Sequence, residues 1–548
     1  MLRPTLLLSA FLLGWGPILA QPAAQKLVPN LESNIERPLR YRPDGADFVI
    51  ENGAEFFNRP LYGGNTAFRV DGGDKPEFVL YLPGRGGNLR LAVVERVAPN
   101  ALSSNQRLEG KPLHPAKWLH DAAQITTRYR PGSLLYEIRD PLLGPDGVLR
   151  LAVLAYHQTE GLIVRAEATG LAPGLELVWA YGGINGQRGV RDGDIGTERV
   201  PISEWFQLSP EFAKDNVIEL TPDSFTVRAK AATITGLVPS GAQLTTADAS
   251  RWNDLSALLE IVGSVLAPTS RSPQAATLQV IIGRVPLSNA TPLYLSLERQ
   301  PTAAVTADLE TYKEVGAPPV GASLDDARGR AQGAPLQVSD LPRLFAETEA
   351  HFTALRTRVS VETPDPFINA AVGALNVAAD AVWDEPQQAI MHGAIAWRTK
   401  LLGWRGPYAL DALGWHDRAR ANISYWIGLQ NKSPIPDKFP PPEEETNLAR
   451  SRTALHSNGN LTASHYDMNI GFFDAFFRHL LWTGDTEFAK QLWPVIERHL
   501  AWERRLFRRE FTNASGDKLP LYEAYAAIWA SDDLQYSGGG AAHTSAYN

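Results

Sequence analysis

Val148-Leu149-Arg150-Leu151-Ala152-Val153-Leu154-Ala155-Tyr156, followed a few residues later by Leu162-Ile163-Val164-Arg165-Ala166-Glu167-Ala168, decides how the first half of this chain is read. Side chains of a strand point alternately to opposite faces, so short apolar runs bounded by turn residues read as strands of a largely buried sheet. Runs of the same kind recur at Asp47 to Ile50, Thr66 to Val70, Phe78 to Leu82, Leu89 to Val94, Leu175 to Tyr181, Thr277 to Ile282 and Leu293 to Leu297. The pairs Gly72-Gly73, Pro83-Gly84, Gly86-Gly87, Pro131-Gly132 and Asp146-Gly147 stand where hairpins would reverse. That many short strands, with no long helical pattern among them, predicts a large antiparallel β-sandwich over residues 25–300.

Two glycine-rich stretches of this region also carry polar groups. Asn58 to Asn65 contains Asn58, Arg59 and Asn65, and Tyr181 to Gly196 contains Arg188, Arg191, Asp192 and Asp194. Arginine and asparagine in such loops can reach a sugar hydroxyl or a uronate, although tight turns use the same residues. Asp192-Gly193-Asp194 lacks the further oxygen ligands of a calcium loop, so no metal is expected there.

Composition excludes several classes. The 44% apolar and 20% charged residues are those of a globular protein, and a net charge of −8 without a basic patch argues against nucleic acid. There is no cysteine, hence no disulfide, thiolate metal site or bacterial lipid anchor. Residues 1–20 read as a signal peptide: Arg3 gives the positive end, Leu6 to Trp15 the apolar stretch, and Ala20 before Gln21 the cut, with Ala23 and Ala24 as other cleavage points. The apolar run is shorter than the roughly 20 residues that span a bilayer and is broken by Gly14, Gly16 and Pro17. A secreted or periplasmic protein without a membrane anchor is the expectation.

From residue 301 the composition changes. Residues 301–362 begin with an Ala-, Gly- and Pro-rich linker and end in a connecting helix, with Asp340 as N-cap and Leu344, Phe345, Phe352 and Leu355 at helical spacing. Residues 363–548 read as helix pairs. Asp365 to Val382 carries Phe367, Ala371, Leu375 and Ala378 on one stripe, and Pro407 to Gly428 carries Leu410, Leu413, Ala421, Tyr425 and Trp426. Tyr466 to Trp482 presents Ile470, Phe473, Phe477 and Leu480 or Leu481, and Thr486 to Phe507 presents Phe488, Leu492 and Ile496 with Pro494 as a kink. The long segment Gln430 to Ser464 has the length of a lid or site wall.

The last stretch, Ala524 to Asn548, sets the adjacent carboxylates Asp532 and Asp533 among Trp529, Tyr536 and His543. Sugar rings stack on aromatic faces and glycosidic bonds are cleaved by paired carboxyl groups, whereas the blander reading makes one aspartate a cap and the glycines a bend. No second histidine stands at ligand spacing from His543, so neither metal nor cofactor is expected.

Trp404-Arg405-Gly406-Pro407-Tyr408 opening a helix, Tyr466-Asp467 opening the next and Thr483-Gly484-Asp485 before a further one resemble the front part of the six-hairpin glycosidases. The resemblance implies an (α/α)6 barrel behind an N-terminal β-sandwich, with the sandwich similar to an uncharacterised bacterial domain found ahead of such barrels. Twelve helices with their loops need on the order of 300 residues or more, and residues 363–548 supply 186, so an incomplete barrel is expected. A small helical bundle ending at Asn548 is the rival reading. The activity implied is hydrolysis of an oligo- or polysaccharide by an inverting two-carboxylate mechanism. Asp533 is then the first choice for general acid, with Asp532 and Glu523 as competitors, while Trp404, Arg405, Tyr408, Asp467, Trp529 and His543 serve sugar binding. The general base is expected beyond Asn548, which leaves the chain as given inactive. A polysaccharide lyase or a non-catalytic carbohydrate-binding protein stays open beside the hydrolase.

Overall fold

The computed structural model describes residues 40–96, 115–189, 200–260, 278–300, 336–395, 398, 400, 407–430, 432, 434, 466–506 and 508–522. Two compact units divide the chain, residues 1–42 and 43–548; of the first, only residues 40–42 are described. The second carries both large sheets and every helix among the described residues.

Two antiparallel sheets form its first half. In one, Asp47–Glu51, Gln124–Arg130, Ser133–Arg139, Val148–Ala155, Gly161–Thr169, Leu293–Arg299, Thr233–Leu237, Ser224–Arg228 and Val217–Leu220 lie side by side in that order. The other runs Gln243–Asp248, Gln279–Pro286, Leu175–Ile184, Arg85–Glu95, Glu77–Tyr81, Arg69–Gly72 and Arg59–Tyr62. Val148–Ala155 pairs with Gly161–Thr169 from Val148 opposite Thr169 to Ala155 opposite Leu162, closing a hairpin. Alternation then sorts the side chains: Leu149, Leu151 and Val153 enter the core between the sheets with Leu80, Leu91 and Trp179 from the facing sheet. Ala152 and Leu154 point the other way, into a separate core. A sheet buried on both faces lacks polar alternation, which explains the nearly continuous apolar runs.

That second core is made by helix α3 (Leu341–Arg356), numbered after two short helices, α1 (Ile202–Trp205) and α2 (Leu255–Glu260). Leu341, Leu344, Phe345, Phe352 and Leu355 of α3 lie against Ala152, Leu154, Tyr156 and Ile163 of the sheet. The Pro131-Gly132 turn receives Phe352 closely. Gly132 has φ 89°, and a Cβ there would stand 2.4 Å from the Phe352 ring, so only glycine serves both the turn and the contact. The outer face of the second sheet is covered by Trp252, Leu255 and Leu258 at one part and by Phe57, Phe206 and Ile395 at another.

Helices α4 (Pro366–Ala381), α5 (Pro407–Ala412), α6 (His416–Gly428), α7 (Tyr466–Thr483) and α8 (Thr486–Leu506) come next, then a hairpin of Arg508–Thr512 and Lys518–Tyr522. Ile423 and Trp426 of α6, Phe472, Phe473 and Phe476 of α7, and Phe488, Leu492 and Ile496 of α8 share one core. No helix among the described residues is long and apolar enough to cross a membrane.

Several local expectations are corrected. Gly86-Gly87 does not turn; both lie inside the strand Arg85–Glu95, which a Leu82-Pro83-Gly84 reversal precedes. Asp340 does not cap α3 with its side chain but accepts from the Gln337 amide at 3.0 Å, closing the preceding 3-10 turn. The single helix expected over Pro407 to Gly428 breaks at Leu413-Gly414, where Gly414 takes φ 72°. In α4 the buried residues are Ala370, Gly373, Asn376, Val377, Asp380 and Ala381, while Leu375 is 65% exposed. In α7, Phe473 is buried as expected, but so are Phe472, Phe476 and His479, while Phe477 is 44% and Leu481 86% exposed. Both helices are rotated from the most apolar stripe because their neighbours offer backbone and polar groups as well as hydrocarbon.

Phe352→Ala should leave a cavity under the Pro131-Gly132 turn and cost about 3–5 kcal/mol. A lowered urea midpoint with an unchanged slope is the expected result, and a midpoint equal to the parent's would show that α3 is not held to the sheet by this ring.

Candidate functional site

The sheet loop and the helices meet around Arg398. Its side chain is 7% exposed, and each of its five N–H groups has an acceptor. Nε donates to Asp384 Oδ2 at 2.9 Å; Nη1 donates to the carbonyls of Ala381 at 3.0 Å and Ala394 at 2.6 Å; Nη2 donates to those of Asn65 at 3.1 Å and Trp383 at 2.9 Å. Burial pushes this guanidinium below its ordinary pKa, with Asp384 opposing. The carbonyls of Ala381 and Trp383 belong to the end of α4 and the strand after it, so Arg398 closes a helix end over a loop of the sandwich.

That loop is shaped for the meeting. Arg59–Tyr62 is a strand, and Gly63, Gly64 and Asn65 turn after it with φ 70° at Gly64 and 49° at Asn65. A Cβ on Gly63 would stand 2.1 Å from the Tyr156 carbonyl oxygen, so the turn packs against the sheet through bare backbone. Asn65 Nδ2 donates to the backbone oxygen of Asp380 at 2.8 Å and to its Oδ2 at 3.0 Å, and Arg418 Nη1 donates to Oδ1 at 2.7 Å.

Beside Asp380 lies a narrow cleft lined by Tyr62, Asn65, Thr66, His157, His351 and Phe352. The imidazoles of His157 and His351 stack with centroids 4.7 Å apart and planes 22° from parallel. His157 Nδ1 shares a hydrogen bond of 3.3 Å with Thr348 Oγ1. Burial, opposed by Asp380 and aided by Arg418, holds His351 below the ordinary imidazole range and keeps it neutral near pH 7. The cleft thus offers one compensated carboxylate and a His351 ring that burial disfavours as a cation, a set that suits hydrogen bonding to an uncharged polar group.

A second polar cluster fixes the beginning of the helical pairs. Asp411 of α5 accepts from His416 Nδ1 at 2.7 Å and from His479 Nδ1 at 2.9 Å, tying α5 to α6 and α7. On the turn of α5 before it, the ring of Tyr408 lies under the Arg478 guanidinium of α7 at 5.2 Å.

Of the residues expected at a sugar site, Tyr408 stands in the first turn of α5 and Asp467 in the first turn of α7. Arg478, over the Tyr408 ring, is about three turns further along α7, on the order of 16 Å from the Asp467 level. Trp404, Arg405, Glu523, Trp529, Asp532, Asp533 and His543 lie outside the described residues, as do Arg191, Asp192 and Asp194. Arg398, Asp384, Asp380 and the two stacked histidines escape sequence reading. Their partners are remote, with Asn65 and Arg398 separated by 333 positions, so no local spacing announces them.

The family described as "Domain of unknown function (DUF4450)" matches residues 82–318, less than half of the chain. No curated protein matches. Among solved structures, a bacterial glucoamylase complexed with acarbose aligns at TM-score 0.41 and 8% identity, covering 89% of this chain and 63% of that one. A protein assigned as a kojibiose phosphorylase from the human microbiome aligns at TM-score 0.40 and 9% identity, covering 87% and 61%. A glycosyl hydrolase of family GH92 aligns at TM-score 0.31 and 11% identity, covering 86% and 65%. The chain therefore spans under two thirds of the length of each of these proteins.

Replacing Arg398 tests the junction. Arg398→Met leaves the Asp384 carboxylate buried beside four carbonyls that have lost their donor, and should cost about 3–5 kcal/mol in denaturant unfolding. Arg398→Lys keeps the charge without the planar fork and should recover only part of that. Full stability in both variants would show that the loop at Asn65 is held by other contacts.

Proposed function

We propose that this chain is part of an exported carbohydrate-active enzyme that hydrolyses glycosidic bonds by an inverting two-carboxylate mechanism. In this reading residues 1–20 direct export, 25–300 are the sandwich, 301–362 the linker with its connecting helix, and 363–548 the early hairpins of an (α/α)6 barrel. The observation that carries the reading is the arrangement around α5. This helix starts at Pro407, directly after Trp404-Arg405-Gly406, and its turns are held by the Arg478 contact on Tyr408 and by the buried Asp411 with its two imidazoles. A subsite that stacks a sugar on Trp404 and fixes hydroxyls with Arg405 would then sit on a rigid support, as positioning of a substrate requires.

Inverting hydrolysis needs a protonated carboxyl at the leaving oxygen and a carboxylate across the ring to activate water. Asp533 is assigned the first role. The charge of Asp532 next to it and the apolar surface of Trp529 would both favour the protonated form, so that a proton is still held near neutral pH. Glu523 is the alternative donor, having the longer reach.

In the natural enzyme, Asp533→Asn should reduce turnover of ordinary glycosides by several orders of magnitude while sugar binding is nearly kept. Glycosides with good leaving groups should suffer much less, since they need no proton at departure. Equal loss on both kinds of substrate would point to a binding or folding role. Full activity of Asp533→Asn, with loss in Glu523→Gln or Asp532→Asn, would move the assignment; unsaturated products would mark a lyase.

A further inference from the structure

Asp411, His416 and His479 come from three different helices, and their ligand atoms all lie within 4.8 Å of one another. Asp411 and His479 are buried, with side chains 5% and 3% exposed, whereas His416 is 42% exposed and opens the group to solvent. Among the described residues these two imidazoles are the whole ion-pair environment of the Asp411 carboxylate, and no arginine or lysine reaches it. A buried carboxylate whose ion-pair partners among the described residues are imidazoles alone invites either a shared proton or a metal ion. Two imidazoles and one carboxylate, with a fourth side open to water, are a donor set that zinc accepts.

The geometry points to a binding site for a borderline divalent cation, Zn²⁺ in the first place, at Asp411, His416 and His479. The ion is held by Nδ1 of both imidazoles and by the carboxylate, with water on the His416 side. Ligand atoms around a tetrahedral zinc stand about 3.3 Å apart, given metal distances of about 2.0–2.1 Å. The present separations of 2.7 and 2.9 Å are hydrogen bonds, so the site must open by about half an ångström to take the ion. His416 can supply that movement, because it is exposed and stands at the first position of α6, free of the packing that fixes His479. On binding, a neutral imidazole moves its Nδ1 proton to Nε2 of the same ring, whereas a doubly protonated one must release a proton to solvent, so acid competes with the ion. Bound there, the ion ties α5, α6 and α7 together. Spacing around His543 gives no hint of this set, because its donors stand up to 68 positions apart.

The test is a titration of the full chain with zinc chloride at about pH 7.5, followed by calorimetry and by melting temperature, and repeated with Co²⁺ for the visible absorption of a tetrahedral centre. One ion per chain, a saturable rise in melting temperature and a tetrahedral cobalt spectrum are expected. His416→Gln keeps a hydrogen-bonding group at an exposed position; its melting without metal should match the parent while zinc affinity falls at least tenfold. His416→Ala should lose zinc equally. Absence of zinc binding in the parent, or binding by His416→Gln and His416→Ala as tight as the parent's, would overturn the site and leave Asp411 as a hydrogen-bonded tie between helices.

Discussion

A planar cation with five donors, buried where five acceptors converge, is the constraint on which the joint between sheets and helices depends. Arg398 cannot lose its charge, so its burial is tolerable only with every N–H group matched, and its acceptors come from the end of α4, the strand after it and the Asn65 turn of the sandwich. Lysine could not serve, since one ammonium point cannot reach five directions in a plane. The consequence is geometric: the chain between α4 and α5 is bound at once to the sandwich and to the helices, so the two cannot slide independently at this place. Ile395, in the same segment, adds an apolar anchor among Phe57, Val79, Tyr81 and Phe206.

The sandwich supplies the rigid side of that joint. Its first sheet is buried on both faces, by the opposite sheet through Leu149, Leu151 and Val153 and by α3 through Ala152 and Leu154. A helix laid on the outer face of a sheet leaves little freedom where side chains interdigitate as tightly as Phe352 does at Gly132. From α3 the chain passes into α4 through close contacts of another kind. Asn376 Nδ2 donates to the carbonyls of Arg356 and Val359, satisfying groups that the end of α3 leaves open.

Those contacts explain what is legible in the sequence and what is not. Strands such as Val148–Ala155 and Gly161–Thr169 are legible because burial on both faces demands apolar residues throughout. Ser224–Arg228, Thr233–Leu237 and Gln243–Asp248 are not, because one face of each is half-exposed and filled by threonine, serine and glutamine. Helices α4, α7 and α8 show in their period, yet the buried sides of α4 and α7 differ from the stripes that period suggests. Hydrophobicity marks a face that packs on hydrocarbon; Gly373, Asn376 and Asp380 mark a face that packs on backbone and charge, and such a face looks polar in the sequence. Much of the candidate sugar site depends on residues outside the described part, and its reading rests on the chain alone at Asp532, Asp533 and Glu523.

The buried polar groups are therefore the specific part of this architecture. Apolar content does not by itself fix the rotation of α7, which buries Phe473 and leaves Phe477 44% exposed, but only one rotation brings His479 to Asp411 and Arg478 to the Tyr408 ring. A carboxylate buried at a helix crossing penalises every other arrangement, because each leaves it without donors. Asn422 acts similarly on the far side, accepting from the Ile390 amide and so fixing α6 to the segment that ends at Arg398. The register of the early helices is thus set by a few hydrogen-bonding groups: Asp380 with Arg418 ties α4 to α6, and Asp411 ties α5 to α6 and α7.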